Sequence, residues 1–588
     1  MSSGPVRIGN ASGFYGDRLS AVREMLEGGE LDYLTGDWLA ELTMLILGRD
    51  RMKDPALGYA KTFVAQMRDT LALAKERGVR IVSNAGGLNP AGLADALRAV
   101  AAEQGLDVTI AHVEGDDLLP RADELGFPGV LTANAYLGAF GIAEALRLGA
   151  DVVVTGRVTD ASVVVGPAIA HHGWGRDDLD ALAGAVVAGH VVECGTQATG
   201  GNFSGFTGLD LTRPLGFPLA EVAADGSCVI TKHAGTGGAV TVDTVTAQLV
   251  YEIQGPRYAG PDVVTDLGGL SVEPDGPDRV RVSGARGSLP PPDAKVCLNE
   301  LGGFRNGVEL LVTGLDVDAK VDWVRAQVEA ALDPRPQVVE WHLERAAEGD
   351  PLTQAAATSR LRCAVKDPSP DPVGRAFSSA VVELALASYP GFAVTAPPAK
   401  GAPFGVYRAA YVPQTEVPHR VVLASGETVE IDPPARTEPL ERPIPEPVEG
   451  IPSTGSGSGV GSGSGVEGPT VDVPLGRLLH ARSGDKGGDA NVGVWVPSTH
   501  PRRDEAYAWL VAWLTPDRVR TLLPEAEGLA VEVQPLPGPR AVNVVLPGLL
   551  GDGVAASTRL DPQAKGLGEW LRARVAAVPA HLLVEGER

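Results

Sequence analysis

Asp37, His112, Asp160, Glu193 and Cys194 are the residues of this chain whose types and settings could do chemistry. The carboxylates and His112 could act as acid and base at the α and β carbons of an acyl group, adding or removing water. Main-chain N–H groups of the glycine-rich turns at Gly86-Gly87 and Gly200-Gly201 could steady the enolate oxygen that such a reaction creates. Cys194 offers a covalent alternative, because Glu193 flanks it and His190 precedes it by one helical turn. A lone cysteine is more often a small buried hydrophobe. His112, Glu114, Asp116 and Asp117 are close in sequence, yet successive strand residues face opposite ways, so no metal site is assigned.

Elements that could position these groups are legible in the first 165 residues. Apolar runs ending in polar turns recur near Ile8, Leu34, Ile81, Ile110, Leu131 and Val153, each separated from the next by an amphipathic or apolar helix. Asn89 and Pro90 suit the N-cap and first turn of one of these helices. Strands alternating with helices predict an α/β fold with a parallel sheet, open and doubly wound in the first instance, with a β/α barrel as the other arrangement. Either one gathers the strand ends on one face. There Asn10, Ser12, Gly13, Asn84, Gly86, Gly87, Asn134, Arg157, Gly200 and Gly201 are expected to bind the substrate beside Asp37, His112 and Asp160. The turns are not a dinucleotide fingerprint, since neither GxGxxG nor GxxxxGK[ST] occurs.

From about residue 225 β-branched residues cluster, as in Val240-Thr-Val-Asp-Thr-Val, and predict an α+β region to about 432. Residues 433–470 are Pro/Glu-rich and then Gly/Ser-rich, the composition of a flexible tether. Beyond it, 471–588 reads as a small ferredoxin-like α+β domain, with strands, a helix over 504–523, two more strands and a helix near 566–575. Its most polar segment, His480 to Asn491, is expected to be a loop whose Lys486 grips a phosphate, such as one on coenzyme A.

Composition bounds the partners. The net charge is −24 and mean hydropathy is near zero, so nucleic acid and anionic membranes would be repelled. Four scattered cysteines form no CxxC pair. With no signal-like segment and no apolar run of spanning length, a cytoplasmic chain is expected, acting on a small molecule and forming homo-oligomers.

Several motifs in order, GNASGFYGDR, DYLTGDWLAELT, VSNAGGLNP, TGRVTDASVVVGPA, ECGTQATGGNF and ARSGDKGGDANVG, resemble the acyclic terpene utilisation AtuA family. The resemblance covers an AtuA-type domain over about 5–445 and an AtuA-like ferredoxin-fold domain over about 471–585. It implies breakdown of branched or terpenoid acyl groups through coenzyme A thioesters, with a hydratase or lyase as the expected activity. It transfers no catalytic residues. The competing reading is a non-catalytic ligand-binding or scaffold protein whose small C-terminal domain docks a partner.

Overall fold

Alternate residues of the central strands face two different cores. The computed structural model describes residues 4–346, 349–440 and 469–584; residues 441–468 of the expected tether lie outside the described residues. Strands β1 (Val6–Asn10), β2 (Tyr33–Gly36), β3 (Arg80–Ser83), β4 (Ile110–Glu114), β5 (Thr132–Ala135) and β6 (Val152–Thr155) coincide with the six predicted runs. Val82 and Val153 join one buried cluster with helices Phe140–Arg147, Ser162–His172 and Leu179–Val192. Ile81, Val152 and Val154 join another with helices Ala21–Gly28, Lys61–Arg77 and Pro90–Glu103. Helices cover both faces, so the parallel block β1-β2-β3-β6-β4 is open and doubly wound rather than a barrel.

β5 departs from the expectation. It pairs antiparallel with Val296–Asn299 instead of joining the parallel block. Its sequence, TANA, lacks the branched apolar residues a central strand needs on both faces. The Ala135 N–H donates to the Asp116 carbonyl, and Asn134 is committed to the Asp116 side chain.

The change of texture near residue 225 marks a change of strand direction. β7 (Pro218–Val222) runs antiparallel to β1 and is followed across the sheet by β8 (Cys228–Lys232), Arg279–Ser283 and Ser271–Pro274. Arg420–Val422 and Thr428–Glu430 extend the other edge beyond β4. The β-branched stretch after Val240 is a helix, Val242–Leu249, not a strand. Every residue of it is buried, and Thr241 and Thr244 close a reciprocal capping box. Burial of that order, about 1.5–3 kcal/mol for a large apolar side chain, outweighs intrinsic propensity differences of about 0.7 kcal/mol. Asn89 caps its helix as expected, its Oδ1 accepting from the Gly92 N–H at 2.9 Å, with Pro90 in the first turn.

The C-terminal residues form a ferredoxin-like domain. Its antiparallel sheet runs His480–Lys486, Asp489–Trp495, Ala541–Leu546 and Glu532–Leu536. The predicted helix over 504–523 is two, Arg503–Trp513 and Pro516–Leu522, since Pro516 cannot continue the first. The polar segment His480 to Asn491 is not a loop: strand pairing runs through it and turns only at Gly487-Gly488.

By contact density the described chain forms two units. One comprises residues to Asn299, Tyr407–Val554 and Asp561 onward, and holds everything above. The other, Glu300–Val406 with Ala555–Leu560, is an antiparallel sheet of Phe304–Thr313, Thr358–Asp367 and Val338–Glu344. Leu310, Val312 and Phe377 of its core pack against helix Val317–Ala331. It contains none of the expected site residues. Among the described residues no helix is long and apolar enough to cross a membrane.

Candidate functional site

Arg157 is the organising side chain at the carboxyl ends of β2, β3 and β6. It is 2 % exposed, which for a guanidinium demands partners on every side. Its Nη1 donates to the Leu39 carbonyl at 2.6 Å and lies 2.9 Å from Asp160 Oδ1. The guanidinium also stacks 4.2 Å from the centre of the Tyr136 ring. The backbone before it is fixed by Asp116, whose Oδ2 accepts from the Arg157 N–H and from Asn134 Nδ2, both at 2.8 Å. Asp116 is itself buried, and that burial raises its carboxyl to about 7.

Asp37 and Glu193 complete a group of carboxyls. Asp37 follows β2 and accepts from Asn84 Nδ2 at 2.5 Å, while Asn84 Oδ1 accepts from the Trp38 N–H. The polar, glycine-rich segment from Gly189, which reads as a loop in the sequence, begins as the last turn of helix Leu179–Val192, so His190 and Glu193 are one turn apart and meet at 3.2 Å. Burial, then the charge of Asp160, hold both Asp37 and Glu193 well above the usual carboxylate range, with Arg157 acting against them. Burial and the Lys486 charge lower His190 to about 4. Burial also opposes charge on Glu41, but Lys295, Arg157 and Lys486 overcome it and bring that carboxyl down to about 2. Tyr136 Oη donates to Glu41 at 2.9 Å.

The ferredoxin-like domain supplies a further wall. Gly484 and Gly493, on the hairpin His480–Lys486 and Asp489–Trp495, lie against Tyr251 and Val250; an added Cβ would stand 2.3 Å and 2.1 Å from their side chains. Asn491 seals this contact, its Nδ2 donating to the Val250 carbonyl and its Oδ1 accepting from the Glu252 N–H. Arg482 stacks 4.0 Å over Tyr251 and bonds Gln197. The hairpin thereby brings Lys486 among Tyr258, Glu252, Asp160 and Glu41, which hold its amine protonated despite burial. Burial, then Glu252 and Glu41, raise Asp485 to about 7. Among the described residues no three of His, Cys, Asp and Glu are arranged to hold a metal ion.

Two family models match the chain. That of the acyclic terpene utilisation family protein AtuA matches residues 6–423, and that of the AtuA ferredoxin-like domain matches residues 473–576. The chain belongs to the AtuA family. No curated protein and no solved structure matches it. The AtuA match carries a link to acyclic terpene utilisation, and the two matches lie on either side of residues 441–468.

Of the expected catalytic set, the structure gathers Asp37, Asp160 and Glu193 in one electrostatic group with Arg157 and Lys486. Cys194 lies beside them, but burial and the charges of Glu252, Glu193 and Asp37 push its thiol far up, and His190 bonds Glu193 rather than the sulfur. His112 stands apart on β4, 3.5 Å from Glu114, with Arg98 and Asp95 as its other charged neighbours.

The expected binding residues mostly brace the fold. Asn10 Nδ2 donates to the carbonyls of Ser12, Val192 and Glu193. Ser12 Oγ donates to the Phe14 carbonyl, and Asn84 and Asn134 are committed to Asp37 and Asp116. The expected N–H donors are spent: Gly87 on Asn84, Gly200 on Gln197 and Gly201 on Thr196. Gly86 and Gly13 serve close packing, against the Thr155 carbonyl and the Cys194 backbone, where an added Cβ would stand at 2.4 Å. Lys486 ends a partly buried strand among the carboxyls instead of lying on an exposed phosphate-binding loop.

Sequence reasoning missed Glu41, Tyr136, Glu252, Tyr258, Lys295, Tyr407, Arg482 and Asp485. The last two sit in the polar segment it singled out, and Glu41 opens the helix after Asp37. Lys295 and Tyr407 are in strands whose local pattern carries no signal of a site.

Proposed function

We propose that this AtuA family chain is a hydro-lyase or hydratase acting on branched or terpenoid acyl groups carried as thioesters, with coenzyme A as the carrier. The observation that carries the reading is the division of labour among three neighbouring carboxyls. Asp160 is ion-paired with Arg157, while burial and the Asp160 charge push Asp37 and Glu193 well above the usual carboxylate range, towards their protonated forms. A pair of carboxyls in different environments is what general acid–base chemistry requires.

In the dehydrating direction, Asp160 takes the proton α to the thioester carbonyl, and the C–H electrons pass into an enolate. Protonated Glu193 or Asp37 gives its proton to the β-hydroxyl; the enolate electrons return to form the Cα=Cβ double bond and the thioester carbonyl, the C–O bond breaks with its electrons going to oxygen, and water leaves. Lys486 adds positive charge beside the reacting group, where the N–H donors of Gly87, Gly200 and Gly201 are spent within their turns. The scaffold reading has less support. The hairpin face that a docked partner would use is packed against Val250 and Tyr251 of the same unit.

The test is to incubate the full chain with a panel of enoyl and 3-hydroxyacyl thioesters and follow masses. A gain or loss of one water, abolished by Asp160→Asn, supports the reading. Binding without turnover across the panel would return the chain to the ligand-binding class.

A further inference from the structure

We propose that Lys295, Lys486 and Tyr407 form a carboxylate-binding subsite beside this group of carboxyls, so that the ligand presents a free carboxylate in addition to the acyl group that reacts. Naming the second group as the reacting one rests on the hydratase reading; the subsite itself does not.

Neither amine forms an ion pair or a hydrogen bond among the described residues, although both are partly buried. Lys295 Nζ stands 4.8 Å from the centre of the Tyr136 ring and 5.7 Å from that of Tyr407. Tyr407 Oη is buried and has no hydrogen-bond partner. The hairpin turn that carries Lys486 lies against the same ring: at the next residue, Gly487, an added Cβ would be 2.7 Å from Tyr407 Cε1. The two amines feel each other, since the Lys486 charge adds to burial in disfavouring charge on Lys295, and Glu41 opposes both effects.

Nearby carboxylates do not discharge the pair by contact. Glu41 bonds Tyr136 and Asp160 bonds Arg157, while Glu252, Asp160 and Glu41 act on Lys486 only through space. Two ammonium groups and a free phenol O–H are donors without acceptors, and the two oxygens of a carboxylate supply the acceptors they lack. The same three acidic neighbours would repel the second charge of a phosphate, so the monoanion fits better.

The subsite is tested by calorimetric titration of the full chain at neutral pH and low salt with 3-methylbut-2-enoate, its amide and inorganic phosphate. The acid is expected to bind at least about tenfold more tightly than the amide, and more tightly than phosphate. Lys295→Met and Lys486→Met should each weaken the acid by about tenfold or more, Lys295→Arg should restore most of that loss, and Tyr407→Phe should weaken binding severalfold. Equal affinity for acid and amide, tighter binding of phosphate, or unchanged affinity in both methionine variants would overturn the proposal. If a methionine variant does not fold, Lys295→Arg and Tyr407→Phe still decide it: loss with Phe and retention with Arg support the subsite, and indifference to both overturns it. A chain that binds the acid but turns over no thioester keeps the subsite and loses the hydratase reading; one that hydrates thioesters without preferring the acid does the reverse.

Discussion

His190 Nδ1 lies 3.2 Å from Glu193 Oε1, and burial disfavours charge on both partners. Burial and the Lys486 charge bring the imidazole down to about 4, and burial with the Asp160 charge pushes the carboxyl well up, so both shifts favour the uncharged forms. A buried carboxyl held towards its protonated form is a proton donor waiting for a leaving group.

Glu193→Gln therefore separates chemistry from stability. It keeps shape and neutrality, so the denaturation midpoint should hardly move, while turnover should fall by about 10²–10⁴-fold. An ionic pair would behave otherwise, since removing one partner of a buried ion pair costs about 3–5 kcal/mol. Urea titration beside the rate distinguishes the two.

Asp116 predicts a pH dependence of stability. Its carboxyl rises from 3.8 to about 7 on folding, so the folded chain holds a proton that the unfolded chain releases. Its favourable contribution is complete below about 3.8 and is lost as pH rises towards about 7. The slope approaches about −1.4 kcal/mol per pH unit for one such group. Asp116→Asn retains an acceptor for the Arg157 N–H and should flatten the stability profile in that window, as read from chemical denaturation at a series of pH values. An unchanged profile would show that Asp116 is ionised in the fold.

Much of this frame was legible in the chain. Apolar runs ending in polar turns located all six early strands, and Asn89-Pro90 located a helix start. The destination of β5 was not legible, because TANA reads as a strand whichever partner it takes. Nor was the helix Val242–Leu249, whose β-branched residues are tolerated by burial on all sides. Asp37, Asp160 and Glu193 could be found because glycine and hydroxyl residues surround them. Lys295 and Tyr407 could not, since only the long-range pairing of strands and the docking of the hairpin bring them beside Tyr136 and the hairpin turn.

Gly484→Ala tests that docking. The added methyl would meet the Tyr251 ring at 2.3 Å, and the hairpin must shift away from Val250–Glu252. Thioester turnover should drop by at least about tenfold, as for other small misplacements of catalytic groups. The isolated fold of the domain should persist, with helices Arg503–Trp513 and Pro516–Leu522 protected from hydrogen exchange. Full activity in this variant would remove Lys486 from the reaction.

Cys194→Ala should leave turnover within about threefold, because burial, with the nearby charge of Glu252, holds the thiol towards its protonated form. Its alkylation by iodoacetamide near neutral pH should be slower than that of a free thiol. Rapid alkylation with loss of activity would restore the covalent alternative.

The central claim is that Asp160 moves a proton on an acyl thioester. Exchange of the α-hydrogen in heavy water, followed by mass spectrometry on a branched 3-hydroxyacyl coenzyme A thioester, tests it most directly. The account predicts deuterium incorporation and water loss with the native chain, and neither with a folded Asp160→Asn variant. Incorporation that survives that substitution would contradict it.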